Sequence, residues 1–306
     1  MAPRVLVAAA FALAALAAVA AAARGRPPAS SSSASQSTVL VVLGEDWSDV
    51  RNTHLLTGQA VAPSPPYSEG RFSNGPLWAE VAAVNAGLDL NCGAYAGSTT
   101  SNDAVRASPF FGVKVNRPDG LHLPDLYEQA LKAFAENNQK NVLAVFAGAN
   151  DFLYDPETSA QSSASRVVDA VSLIPQFRAG KLPTLFFELP PLDAFPAVAG
   201  DANAPLREKL KVWTREFNLQ LYAGVAAIRK EPGSSPVDIF PTRDFFYETA
   251  SVFEVQDEPC VNEHMETNGS PHAYLFWDGS HFSADFHHLL GTRAAAYLQD
   301  LLTIKN

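Results

Sequence analysis

The chain has 306 residues, 47% of them hydrophobic and 18% charged, enough for one sizeable α/β domain with its own core. Its formal net charge of −10 argues against nucleic acid or an anionic membrane as a partner, because both repel an acidic surface. A neutral glycan or a small ester fits that surface better.

Arg4 precedes an apolar, alanine-rich run over residues 5–23 that closes on small residues suited to signal-peptidase cleavage. Residues 1–23 therefore read as a signal peptide, and the chain as secreted. The run is also just long enough, at about 19 residues, to span a bilayer. An uncleaved anchor is the alternative, weakened by the low apolarity of alanine. Residues 24–37, rich in Pro and Ser, hold too little apolar surface to order themselves and form a disordered leader. Residues 38–306 remain for a single domain.

Residues 39–43 are an almost wholly apolar run ending in Gly44, which suits a buried parallel strand feeding a tight turn. Residues 142–147 end in Gly148 in the same manner, and residues 182–189 end at Pro190 and Pro191. Between these runs the spacing predicts helices. Residues 124–137 carry Leu126, Ala130, Leu131 and Phe134 on one face, and residues 205–230 carry Leu210, Trp213, Phe217, Leu221 and Val225. A last helix starts near Ser283 as N-cap and turns Phe286, Leu289, Leu290, Ala294 and Leu298 inward. Strand–helix alternation implies a three-layer α/β/α sandwich with a parallel sheet. The turn-rich stretches 63–75 and 257–271 are loops of the kind that shape a binding cleft on a rigid sheet. Trp47, Phe72 and Trp78 are assigned to core packing before any ligand role.

Four short segments carry chemistry. They are Gly44-Glu45-Asp46-Trp47-Ser48-Asp49 after the first strand, Gly97 in a small-residue turn, Gly148-Ala149-Asn150-Asp151, and Asp278-Gly279-Ser280-His281 near the end. In this order they resemble the blocks of the SGNH (GDSL-type) hydrolases, in the secreted lipid and carbohydrate esterase branch. The flanking stretches 70–78 and 274–277 match as well, so the likeness covers essentially residues 39–302. It implies the flavodoxin-like arrangement of that family and a small-molecule ester, acylated glycan or lipid as substrate, with no metal and no cofactor; the chain is read as a monomer.

The resemblance makes His281 the general base and Asp278 the carboxylate that orients it, three residues apart on one turn. Asn150 and the Gly97 N–H are the oxyanion donors it implies; Gly93 lies close enough to be mistaken for Gly97. The departure from the family is Asp46. The register runs without a gap from the first strand through Asn52 and Thr53, although Arg51 stands where glycine is usual. It puts Asp46 on the nucleophilic serine. Ser48, two residues on, is too far displaced to replace it and is assigned a helix-start role. A carboxylate at position 46 is expected to face His281, hold it as imidazolium and take up the oxyanion donors itself.

Three functional classes follow: an esterase-like protein impaired at its nucleophile, an active ester hydrolase using Asp46 or another group, and a secreted glycan- or lipid-binding protein. His287 and His288 read as surface or helix-face residues; His54, His122, His264 and His272 read as solvated or loop histidines. Cys92 and Cys260 allow at most one bridge, and two free thiols are preferred to it. Asn268-Gly269-Ser270 is a glycosylation sequon, disfavoured by Pro271 behind it.

Overall fold

The computed structural model describes residues 37–103, 122–135 and 139–304. The signal-peptide segment, the leader up to residue 36 and the end of the helix expected over 124–137 lie outside the described residues.

Five parallel strands make the central sheet, in the order β2-β1-β3-β4-β5. They are β1 (Val39–Gly44), β2 (Asp89–Cys92), β3 (Asn141–Phe146), β4 (Thr184–Phe187) and β5 (Val237–Phe240). Every residue of β1, β3 and β4 is buried, which is why their sequences read as unbroken apolar runs rather than alternating ones. A small second sheet pairs β6 (Val255–Pro259) with β7 (Tyr274–Phe276).

The helices are α1 (Asn52–Leu56), α2 (Trp78–Ala86), α3 (Leu126–Phe134), α4 (Ala149–Tyr154), α5 (Ala160–Ser172), α6 (Pro175–Arg178), α7 (Ala204–Lys230), α8 (Thr242–Ala250) and α9 (Ala284–Thr303). The path from β1 to β2 runs outward and the path from β2 to β3 runs back past β1. With right-handed crossovers this reversal puts α2 and α3 on opposite faces. α2 packs with α9, and α3 packs with α5, which packs with α7. The result is a sandwich of sheet between two helical layers.

Most predicted inward faces are found. Leu210, Trp213, Phe217, Leu221 and Val225 of α7 are all buried. The Ser283 side chain accepts the Phe286 N–H as the N-cap of α9, with Phe286, Leu290, Ala294 and Leu298 buried and Leu289 partly so. Leu131 is the exception, at 60% exposure. Leu126, Ala130 and Phe134 make the inner stripe of α3, and the remaining inner position goes to Gln129, whose amide is used by the first strand. The carboxyl ends of β3, β4 and β5 close on Phe146, Phe187 and Phe240, stacked ring on ring at 5.0 and 4.9 Å. These rings stiffen the sheet edge from which the site projects.

Candidate functional site

The site begins where β1 ends. Gly44 has φ +152°, and a Cβ there would lie 2.1 Å from the Phe146 carbonyl oxygen, so only glycine lets the strands come this close. The Gln129 amide pins the same residue, accepting the Gly44 N–H at 2.9 Å and donating to its carbonyl at 3.0 Å. The chain then turns sharply through Glu45 and Asp46.

Two buried carboxylates fix what surrounds that turn. Glu45 accepts the N–H groups of Gly148, Ala149 and Asn150 at 3.3, 2.9 and 3.2 Å, binding the positive end of α4 to the tip of β1. Burial, and then the charge of Asp46, push the Glu45 carboxyl well above its usual range, against the pull of those backbone donors. Asp49 accepts the N–H groups of Arg51, Asn52 and Thr53 at the start of α1, together with that of Ala96. Asn52 donates to the Cys92 and Ala94 carbonyls at 3.0 and 2.8 Å. α1 thereby holds the loop that carries Gly97.

The structure brings together all five residues that the sequence singled out. Asp46 Oδ2 accepts the Gly97 N–H at 2.9 Å and the Asn150 Nδ2 at 2.6 Å, and Asp46 Oδ1 lies 3.3 Å from His281 Nε2. His281 Nδ1 stands 2.7 Å from both oxygens of Asp278, whose Oδ1 also accepts the N–H groups of Ser280 and His281. Burial alone would lower the His281 pKa; the charge and hydrogen bond of Asp278, then those of Asp46, overturn this and raise it to about 10. Asp46 and Asp278 are held below the ordinary carboxylate range, because contact with His281 outweighs their own burial. A carboxylate on each ring nitrogen favours the imidazolium form of His281.

Sequence reasoning missed Tyr67. Its hydroxyl donates to Asp278 Oδ2 at 2.6 Å, and no motif marks it within the Pro-rich loop. Phe72 packs its ring against His281 with centroids 4.7 Å apart, so it borders the site, whereas Trp47 and Trp78 belong to the core. A cleft of about 670 Å³ opens beside Asp278 and Gly279, walled by Val61, Tyr67 and Phe72 on one side and Pro259, Val261 and Met265 on the other. Both loops expected to shape a cleft contribute.

Three expectations need correction. Ser48 does not start a helix; it is wholly buried, its hydroxyl accepts the Trp78 indole N–H at 3.1 Å, and Asp49 caps α1 instead. His287 is not a surface residue but fully buried, on the inward stripe of α9 between Ser283 and Leu290, with Nδ1 accepting the Trp78 backbone N–H at 3.4 Å. His54 lies on α1 and bonds the Val61 carbonyl oxygen at 2.7 Å. His122, His264, His272 and His288 are exposed, and both cysteines are free thiols. Among the described residues no cluster of three or more His, Cys, Asp or Glu is arranged to hold a metal.

Comparison with known proteins agrees with this architecture. The family model for GDSL-like lipase/acylhydrolase matches residues 34–294. The phosphatidylcholine-sterol acyltransferase of Aeromonas hydrophila is 31% identical over 136 residues, 44% of this chain and 38% of that protein. Among solved structures, Est24, a carbohydrate acetylesterase from Sinorhizobium meliloti, superposes with a TM-score of 0.51 at 13% identity, over 86% of this chain and 99% of that one. An aryl esterase of M. smegmatis gives a TM-score of 0.50 at 15% identity, over 86% and 99%. At these identities the two structures share the fold.

Proposed function

Because the chain belongs to the GDSL-like lipase/acylhydrolase family, we propose that it is a secreted, esterase-like protein whose serine mechanism is disabled at Asp46. In this reading the cleft beside Asp278 still receives a carboxylic ester of a lipid or carbohydrate, the classes named by its relatives. One observation supports it above the others: the Asp46 carboxylate holds the Gly97 N–H, the Asn150 amide and the His281 ring at once.

The chemistry follows from that contact. Ester hydrolysis by this machinery needs a hydroxyl nucleophile, a neutral imidazole to take its proton, and free donors for the tetrahedral oxyanion. Asp46 supplies no hydroxyl, it joins Asp278 in favouring the protonated form of His281, and its Oδ2 sits on the donors an oxyanion would need. Ser48, tied to Trp78 in the core, cannot substitute.

A second reading draws on the intact Asp278–His281 pair. Asp46 Oδ1 attacks the ester carbonyl, the imidazolium protonates the departing alcohol, and water cleaves the resulting mixed anhydride. That route asks a weak nucleophile to expel a poorer leaving group.

Hydrolysis of p-nitrophenyl acetate by the wild-type chain beside Asp46→Ser separates the two readings. The wild type is expected at background and the variant at least on the order of a hundredfold above it, with fluorophosphonate labelling the variant alone. Equal turnover by both proteins supports the second reading. Protein recovered from the culture medium should lack residues 1–23. An NMR titration showing His281 mostly neutral at pH 7 would contradict the proposed inactivation directly.

A further inference from the structure

A second depression, of about 250 Å³, lies between α7 and α8 at the carboxyl end of β4 and shares no lining residue with the cleft beside Asp278. Its floor holds Glu188, 5% exposed, whose Oε1 accepts the Arg243 N–H at 2.8 Å; Tyr222 lines the same depression. Thr214 also lines it. The Thr214 hydroxyl is buried and has no hydrogen-bond partner among the described residues. Around the rim stand Lys211, Arg215 and Arg243, with Asp193 among them and the Arg243 guanidinium over the Tyr247 ring at 5.9 Å. Two tyrosine rings, Tyr222 and Tyr247, are 42% and 55% exposed at its mouth.

Ligand classes can be eliminated one by one. A compact anion would be drawn by three cations but would meet Glu188 and Asp193 in the same space, and a cation would meet the reverse. An apolar ligand would strip water from five charged side chains and leave them unpaired. Hydroxyl groups both donate and accept, so a polyhydroxylated neutral molecule can satisfy the carboxylates, the cations and the Thr214 hydroxyl together. The exposed tyrosine faces suit the C–H face of a sugar ring. A more open depression continues from Asp193 and Tyr247 toward Phe246 and Gln256, leaving room for a neighbouring unit.

We propose that this depression is a carbohydrate subsite, separate from the Asp46–His281 centre, which seats one ring of a neutral oligosaccharide against Tyr222 and Tyr247. It does not depend on whether Asp46 supports turnover. The site would hold a glycan chain at a distance from the ester cleft.

Calorimetric titration of the full chain with cellotetraose, xylotetraose and chitotetraose tests it, with tetragalacturonate and inorganic phosphate as charged controls. At least one neutral tetrasaccharide is expected to bind with a dissociation constant of about 0.1–1 mM, weakened at least about tenfold by Tyr247→Ala and by Tyr222→Ala. Thermal melts of both variants check that the fold is kept, since Tyr222 also lies beside the buried Glu188 carboxylate. Thr214→Val should weaken binding severalfold while leaving Tm unchanged or higher, because it removes a buried hydroxyl that has no partner without ligand. The proposal fails if no neutral tetrasaccharide binds by about 10 mM. It also fails if phosphate or tetragalacturonate displaces the sugar, or if the tyrosine variants bind as the wild type does.

Discussion

His281 and His287 lie six residues apart, both sealed from solvent, and their pKa values are pushed in opposite directions. Burial pushes each ring toward the neutral form. For His287, which faces the Phe282 ring and the Trp78 N–H, nothing offsets it; with the nearby His281 charge adding to the effect, its pKa falls to about 3. For His281 two carboxylates reverse the sign and lift the pKa to about 10. Burial is common to both rings, so the carboxylate partners set the direction of the shift at His281.

The contrast sets the pH dependence of stability. A raised folded pKa stabilises fully below the unfolded value of about 6.5, so the His281 contribution is lost as pH rises from there through about 10. A depressed one acts in the other direction: the His287 contribution is present above about pH 6.5 and lost as pH falls toward 3. Asp46 and Asp278, both lowered, steepen the acid side below about pH 4. The largest effect is expected from Asp278→Asn, which leaves the buried His281 ring with Asp46 as its one carboxylate partner; it should cost about 3–5 kcal/mol at pH 7 by urea denaturation and remove most of the alkaline loss. An unchanged alkaline limb in that variant would mean that His281 is not the group responsible. Next, His287→Leu should flatten the decline between pH 6.5 and about 4 by a few kcal/mol while leaving the alkaline limb as it was, measured as Tm against pH. A decline as steep as in the wild type would show that His287 does protonate in the folded chain.

What the sequence could disclose followed from how local each signal was. β1, β3 and β4 were legible because full burial makes them unbroken apolar runs. β2 and β5 were not, since Asp89, Asn91 and Asp238 interrupt these short edge strands where one side meets solvent. Asp46, Gly97, Asn150, Asp278 and His281 each sit in a short motif at a strand end or a turn, and the fold brings those ends together. Glu45 and Asp49 were visible only as members of a motif, because their work as backbone clamps depends on N–H groups from distant segments. His287 could have been found from helical arithmetic alone, being one turn beyond the Ser283 cap and one turn before Leu290. The lesson there is that a polar residue on an inward stripe is buried with the stripe.

Tyr67 is the residue that no reading of the chain could reach, for it meets Asp278 across 211 positions of sequence. Its hydroxyl donates to the same carboxylate oxygen that faces His281 Nδ1, and so it competes with the ring for that oxygen's charge. Tyr67→Phe keeps the ring in the cleft wall and removes only that donor. The carboxylate then falls back on His281, and two effects of modest size should appear together. Stability at pH 7 drops by about 1–2 kcal/mol, the cost of a hydrogen bond to a charged group. The His281 pKa, followed by NMR, moves further up, because Asp278 regains the negative charge that the tyrosine had partly neutralised. A fall in that pKa would mean that Tyr67 acts by positioning Asp278 against the ring, and that the geometry of the carboxylate outweighs its charge.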